Sequence, residues 1–137
     1  MTFRNDLKHL GLLILFAALF LASCKKQEGK GGDASISGAV NVKHYNSTFT
    51  EFISEYPGAD TYVYLIYGDD ISYGQRIKTN YEGQFEFKYL YKGNYTLYVY
   101  SLDSTLIVPS GNVTVVKEVN IGGRKDHIDV GTFQVFQ

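Results

Sequence analysis

From about residue 35 onward, apolar and polar positions alternate with a period of two, the mark of strands with one buried face. In "SISGAVNVKHY", Ile36, Gly38, Val40 and Val42 share one face. In "TYVYLIY", Val63 and Leu65 oppose Tyr62, Tyr64 and Ile66. The turn Gly68-Asp69-Asp70 leads into "ISYGQRIKT". Next, "NYEG" turns into "QFEFKYL", where Phe85 and Phe87 alternate with Gln84, Glu86 and Lys88. "YKGN" turns into "YTLYVYSL", which sets Tyr95, Leu97 and Val99 against Thr96, Tyr98 and Tyr100. "NVTVVKEVNI" and "IDVGTFQVF" complete the set. Seven short strands separated by turn residues predict an all-β fold, a Greek-key β-sandwich of two sheets spanning 35–137. Phe85, Phe87, Leu90, Tyr95, Leu97 and Val99 are its expected core, and Gly83 and Gly93 its turns with positive φ.

One stretch departs from this period. "STFTEFISEYPG" spaces Phe49, Phe52, Ile53 and Tyr56 on one helical face. Thr48 with Glu51 resembles a capping box, and Pro57-Gly58 supplies a stop. A short helical insertion between strands 1 and 2 is therefore predicted. Its apolar stripe is expected to cap an open end of the sandwich, with partner binding as the alternative.

The first 23 residues belong to a different problem. Arg4 and Lys8 precede an apolar run from Leu10 to Ala22, too short for the ~20 residues of a bilayer span. It has the length of a signal-peptide core. Leu21-Ala22-Ser23-Cys24 resembles the bacterial lipobox. The resemblance implies cleavage before Cys24 and lipidation of Cys24, with membrane attachment through its diacylglycerol and acyl chains. Residues 24–34, "CKKQEGKGGDA", are polar and glycine-rich and are expected to be a flexible tether.

Composition removes several function classes. Taking Arg4, Lys8 and Asp6 from 13 basic and 14 acidic residues leaves 11 and 13, a net charge of −2. No basic stripe exists for nucleic acid. Cys24 is the only cysteine, so neither a disulfide nor thiol catalysis is available to the mature chain. No metal, cofactor or hydrolase motif occurs. His44 and His127 are the only histidines after residue 23, and "DHID" places Asp126 and Asp129 beside His127. A polar turn before the last strand accounts for that cluster, since two carboxylates without further ligands specify no metal and no base. The chain is read as a non-catalytic binding or scaffolding domain; a carbohydrate-binding or adhesin accessory of a glycan-uptake or fimbrial system is the alternative, and a small hydrolase the third choice.

Pro57, Val63, Leu65, Thr79, Gly83, Phe85, Phe87, Leu90, Gly93, Tyr95 and Leu97 fall on the pattern P-x-x-x-x-x-V-x-L followed by T-x-x-x-G-x-F-x-F-x-x-L-x-x-G-x-Y-x-L. That run resembles the carboxypeptidase regulatory-like and Cna-B-like domains, transthyretin-like sandwiches frequent in surface lipoproteins of Bacteroidota. The resemblance implies an Ig-like or transthyretin-like sandwich and a cell-envelope lipoprotein of the outer membrane, on either of its faces. It names no ligand, because the fold hosts many roles. Cna-B-like domains often carry a Lys–Asn isopeptide bond; Lys43 and Asn120 are conceivable partners, but Val99 stands where the family has its promoting Glu, so no bond is expected.

Two surface features remain. Tyr62, Tyr64, Tyr98 and Tyr100 lie on the faces opposite the core residues of strands that are neighbours in the family topology. Such a patch is either cross-strand stabilisation or a platform for a glycan or an envelope protein. Asp103-Ser104-Thr105 resembles the short O-glycosylation signal of Bacteroidota, which implies modification of an exposed Ser104.

Overall fold

β-branched and aromatic residues spaced at period two leave a sheet as the one way to bury one face of each segment while satisfying its backbone. The computed structural model describes residues 27–137 and shows eight strands. They are β1 (Lys30–Tyr45), β2 (Phe52–Pro57), β3 (Tyr62–Tyr67), β4 (Gln75–Lys78), β5 (Gln84–Leu90), β6 (Gly93–Leu102), β7 (Asn112–Ile121) and β8 (His127–Phe136). The signal peptide and Cys24 lie outside the described residues.

The strands form two four-stranded sheets. One has the order β4-β3-β6-β7 and is antiparallel throughout. In the other, β1 is central: β8 runs parallel along one side of it, while β5 and then β2 pair antiparallel along the other. The inward residues are the expected ones. Ile36, Val40, Val42, Val63, Leu65, Phe85, Phe87, Leu90, Tyr95, Leu97 and Val99 are buried, joined by Ile121, Phe133 and Val135. Each such side chain contributes roughly 1.5–3 kcal/mol on burial. The architecture is thus the all-β sandwich that the alternation predicts.

Two expectations about its boundaries need correction. No helix occupies 47–56: residues 46–51 form a hairpin loop and β2 follows it. Asn46 is the reason. Its Oδ1 accepts from the backbone N–H of Thr50 at 2.9 Å and of Glu51 at 3.3 Å, and its carbonyl accepts from Phe49 N at 3.0 Å. Phe49 takes φ 54°, incompatible with a right-handed helix, and its ring joins Tyr45 and Phe136 at 5.9 Å. β5 leaves β1 after Ala39, so the free backbone edge beyond it, from Asn41 to Tyr45, recruits 52–57 as a strand. Phe52, Ile53 and Tyr56 remain exposed rather than capping the core.

The domain also starts earlier than Ser35. β1 begins at Lys30, which pairs with Leu90, and Ala34 is fully buried. The Tyr95 hydroxyl fixes this entry: it accepts from Gly29 N at 3.0 Å and donates to Tyr91 O at 2.8 Å. The glycine content that suggests a free tether instead serves a crowded strand, since a Cβ on Gly32 would lie 1.9 Å from Leu90 O. Lys43 and Asn120 sit in different sheets, and the Asn120 amide donates to Asn94 Oδ1 at 2.7 Å.

The handover from β5 to β2 depends on Val40. Its N–H donates to Gly83 O and its carbonyl accepts from Gly58 N, each at 2.8 Å. Gly83 has φ +75°, and a Cβ there would lie 2.4 Å from Val40 O. Gly111 has a similar φ of +69° but open space around it. Gly111→Ala should therefore cost the left-handed backbone penalty alone, about 1 kcal/mol, and Gly83→Ala at least about 2 kcal/mol more. Urea unfolding of the two variants checks this; equal losses would show that the Val40 contact relaxes freely.

Candidate functional site

Antiparallel register, not sequence proximity, assembles the tyrosines. Tyr64 pairs with Arg76 on one side and Tyr98 on the other, and Tyr98 pairs with Val116. Arg76, Tyr64, Tyr98 and Val116 thus form one transverse row across all four strands. Tyr64 and Tyr98 stack nearly parallel, with centroids 4.7 Å apart and planes 5° from each other. Tyr100 stands at 82° to Tyr64 and 87° to Tyr98, at 5.6 and 5.8 Å. Tyr73, from the β3–β4 connection, meets Tyr64 edge-on at 5.1 Å, and Tyr62 lies 6.2 Å from it. All four expected tyrosines, with Tyr73, form one continuous face.

Nothing in the described chain covers this face. The one segment expected to be a loose apolar element, 47–56, belongs to the opposite sheet. Tyr64 and Tyr98 are half-buried by their neighbours, whereas Tyr62, Tyr73 and Tyr100 are 39%, 43% and 54% exposed. The division matters. The stacked pair spends its ring faces on each other and contributes roughly 0.5–1.5 kcal/mol beyond burial. Tyr62, Tyr73 and Tyr100 keep more of their ring surface accessible.

Cations border the face along β4. The Arg76 guanidinium lies 4.7 Å from the Tyr62 ring centroid and the Lys78 ammonium 5.0 Å. Lys78 is neutralised by Asp60 at 2.8 Å, a bond that raises the lysine pKa above its ordinary value. Burial, then the neighbouring Tyr100 and Tyr64, raise the Tyr98 pKa, so this phenol remains a protonated donor at neutral pH. The face therefore offers apolar ring surface, phenolic hydroxyls and a bordering guanidinium.

Two other concavities lack that combination. A polar trough of about 590 Å³ on the outer side of the other sheet is lined by Ser37, Asn80, Gln84, Glu86, Asp129 and Thr132. It has carboxylates and amides but no exposed ring. At the far end of β1, an apolar hollow of about 340 Å³ lies among Tyr45, Phe49, Leu102, Leu106 and Val108.

The histidine region contains one contact that the sequence does not reveal, Ser35 Oγ to His127 Nδ1 at 2.8 Å. The two residues are brought together by the parallel β1–β8 register, which no local pattern encodes. A nucleophilic pair needs a third group to orient the second ring nitrogen. Glu86 faces this pair: Lys88 foremost, and then a Ser35 hydrogen bond and the nearby His127, hold its carboxyl below the ordinary value. Asp126 and Asp129 are instead turned onto Gly123 N and Gly131 N. Among the described residues no three His, Cys, Asp or Glu side chains converge on a metal-binding point.

Ser104 is exposed in the loop after β6, and its neighbour Asp103 organises that loop. The Asp103 carboxylate accepts from Thr105 N and Oγ1 at 2.9 and 2.6 Å, Ile107 N at 2.8 Å and Val108 N at 2.7 Å. The apolar tip Leu106-Ile107-Val108 is held outward by these bonds and is exposed.

No protein-family model matches the chain, and no curated protein matches it. Among solved structures it is similar to a candidate carbohydrate-binding protein of Pseudomonas aeruginosa, with 15% identity and a TM-score of 0.46, over 82% of this chain and 92% of that one. It is also similar to an (S)-allantoin synthase, with 12% identity and a TM-score of 0.44, over 79% of this chain and 43% of that one.

The four hydrogen bonds, that from the Thr105 hydroxyl foremost, pull the Asp103 pKa down from the ordinary carboxylate value to about 2. A depressed pKa stabilises the loop fully above the unfolded value near ~4 and loses that contribution as pH falls through about 2. Amide exchange at Ile107 and Val108 should therefore accelerate between pH ~4 and ~2, relative to Val99 in the core. Unchanged protection over that range would contradict the role given to Asp103.

Proposed function

We propose that this protein is a lipid-anchored, non-catalytic lipoprotein of the bacterial outer membrane whose β-sandwich is a binding module for glycan. The open tyrosine face on β3 and β6 carries the proposal. Sugar rings present apolar C–H faces bordered by hydroxyls. Exposed phenol rings turned out of the plane of a stacked pair offer apolar surface, and their hydroxyls supply donors and acceptors at the rim. Flat, open platforms of this kind suit one stretch of a polymer better than a small enclosed molecule, which calls for a concave site.

The lipobox-like Leu21-Ala22-Ser23-Cys24 supports the anchor. Because the fold takes hold of the chain at Gly29, only residues 25–28 separate Cys24 from the sandwich. Four residues reach about 13 Å when extended, so the domain would sit against its membrane rather than project from it. An envelope protein as partner is the second reading, favoured by the exposed Leu106-Ile107-Val108 tip, which lies at the end of β1 remote from Gly29.

Three measurements test this. On a glycan array, Tyr62→Ala/Tyr100→Ala should lose at least about tenfold in binding while keeping the native circular dichroism of the sandwich. Binding by neither protein would leave the scaffold reading. Labelled palmitate should enter the wild type and not Cys24→Ala; an unlabelled wild type removes the anchor. If Ser104 is modified, a glycan mass should vanish in Ser104→Ala.

A further inference from the structure

The tyrosine face is electrically one-sided, and this restricts its ligand. Arg76 sits at the β4 end of the transverse row, on the ring of Tyr62, at 4.7 Å. Among the described residues it has neither a hydrogen bond nor an acidic partner: Asp60, the carboxylate nearest in the register, is bound to Lys78. Elsewhere on this face the negative charges are Glu118 on β7, which pairs with Thr96 on β6 one row away and at the opposite edge of the sheet, and Asp69, which lines a concavity with Thr96 and Glu118. Four strands at ~4.8 Å spacing put about 14 Å between the two edges. A guanidinium presents its N–H groups in a planar fork from which a carboxylate can accept two hydrogen bonds. The base of the row is apolar from Tyr64 to Val116, so a ligand resting on it places one end against Arg76.

We infer that the tyrosine face selects acidic saccharides, chains that contain uronic acid, with a ring carboxylate held by Arg76 and the sugar rings on Tyr73 and Tyr100. The inference rests on the glycan-binding reading above and adds the charge of the ligand. Lys78 is excluded as the primary carboxylate ligand because its charge is already matched by Asp60. Tyr62 acts as a positioning residue by fixing the guanidinium plane.

The test uses calorimetry on the folded protein with short oligomers of galacturonate, mannuronate and glucuronate. Each is compared with its carboxyl-reduced counterpart, which keeps the ring stereochemistry and removes the charge. At least one acid oligomer should bind about tenfold or more tightly than its reduced form, and the advantage should shrink as salt rises. Arg76→Gln should erase the advantage, bringing each acid oligomer and its reduced form to the same affinity. Equal affinity for acid and reduced forms, or an advantage that survives Arg76→Gln, overturns the inference and leaves the glycan reading intact. Binding to no oligomer, acidic or reduced, by a protein of native circular dichroism overturns both.

Discussion

Every strand of one sheet is hydrogen-bonded to β1 and to no other strand of that sheet. β8, β5 and β2 are all edges, and each has its partner because one 16-residue strand offers both sides of its backbone. The constraint is one of accounting: a buried backbone group without a partner costs about as much as a lost hydrogen bond. At Val40 the accounting passes from β5 to β2 through Gly83 and Gly58, and a buried Thr79 hydroxyl binds Gly58 O beneath them while accepting from Thr61 N at 2.9 Å. That one crossing fixes where β2 ends, where β3 begins and how β5 enters. Contacts of this kind join residues about 20 to 40 apart, so the sheet cannot form from local segments alone.

The second sheet inherits its rigidity from the first. Ser101 Oγ on β6 accepts from Phe136 N on β8 at 2.9 Å, and the Lys117 ammonium on β7 donates to Val130 O and Thr132 O while lying 4.9 Å from the Phe133 ring. These bonds clamp β6 and β7 to β8, and β3 is then fixed by pairing with β6. The tyrosine face is the outer surface of a clamped sheet whose inner surface is Val63, Leu65, Leu97 and Val99. Its ring positions are set by packing on the far side of the backbone, which spares a ligand the cost of ordering them.

What the sequence made legible follows from periodicity. Alternation locates β3, β5, β6, β7 and β8 and assigns the buried faces of β3, β5 and β6, and the Tyr62/Tyr64 and Tyr98/Tyr100 pairs are therefore placed outward correctly. The helix over 47–56 fails because Phe49, Phe52, Ile53 and Tyr56 satisfy a helical spacing by coincidence. They are also β-formers beside an unpaired strand edge, and tertiary demand outweighs a weak local preference. The tether fails in a similar way. Lys30 to Asp33 reads as solvated linker by composition, yet Gly31 and Gly32 are small because Tyr91 and the Leu90 carbonyl press against them. Ser35 beside His127 was illegible for a different reason: parallel pairing joins residues 92 apart, and no turn sets its register.

The stacked Tyr64–Tyr98 pair divides a single face into a packed centre and an exposed periphery. Cross-strand rings opposed in register lower the free energy of the sheet whether or not anything binds. Had all the tyrosines stacked, their faces would be consumed and the surface would be a row of ring edges. Tyr100 and Tyr73 are turned by about a right angle against that pair, and Tyr62 is turned toward Arg76 and Lys78. Cross-strand stabilisation accounts for the pair at the centre. Three further rings are left 39–54% exposed around it, with a guanidinium that has no anion among the described residues. The periphery of the cluster, not its well-packed centre, is where the surface carries unspent interactions, and that is where a ligand gains most from contact.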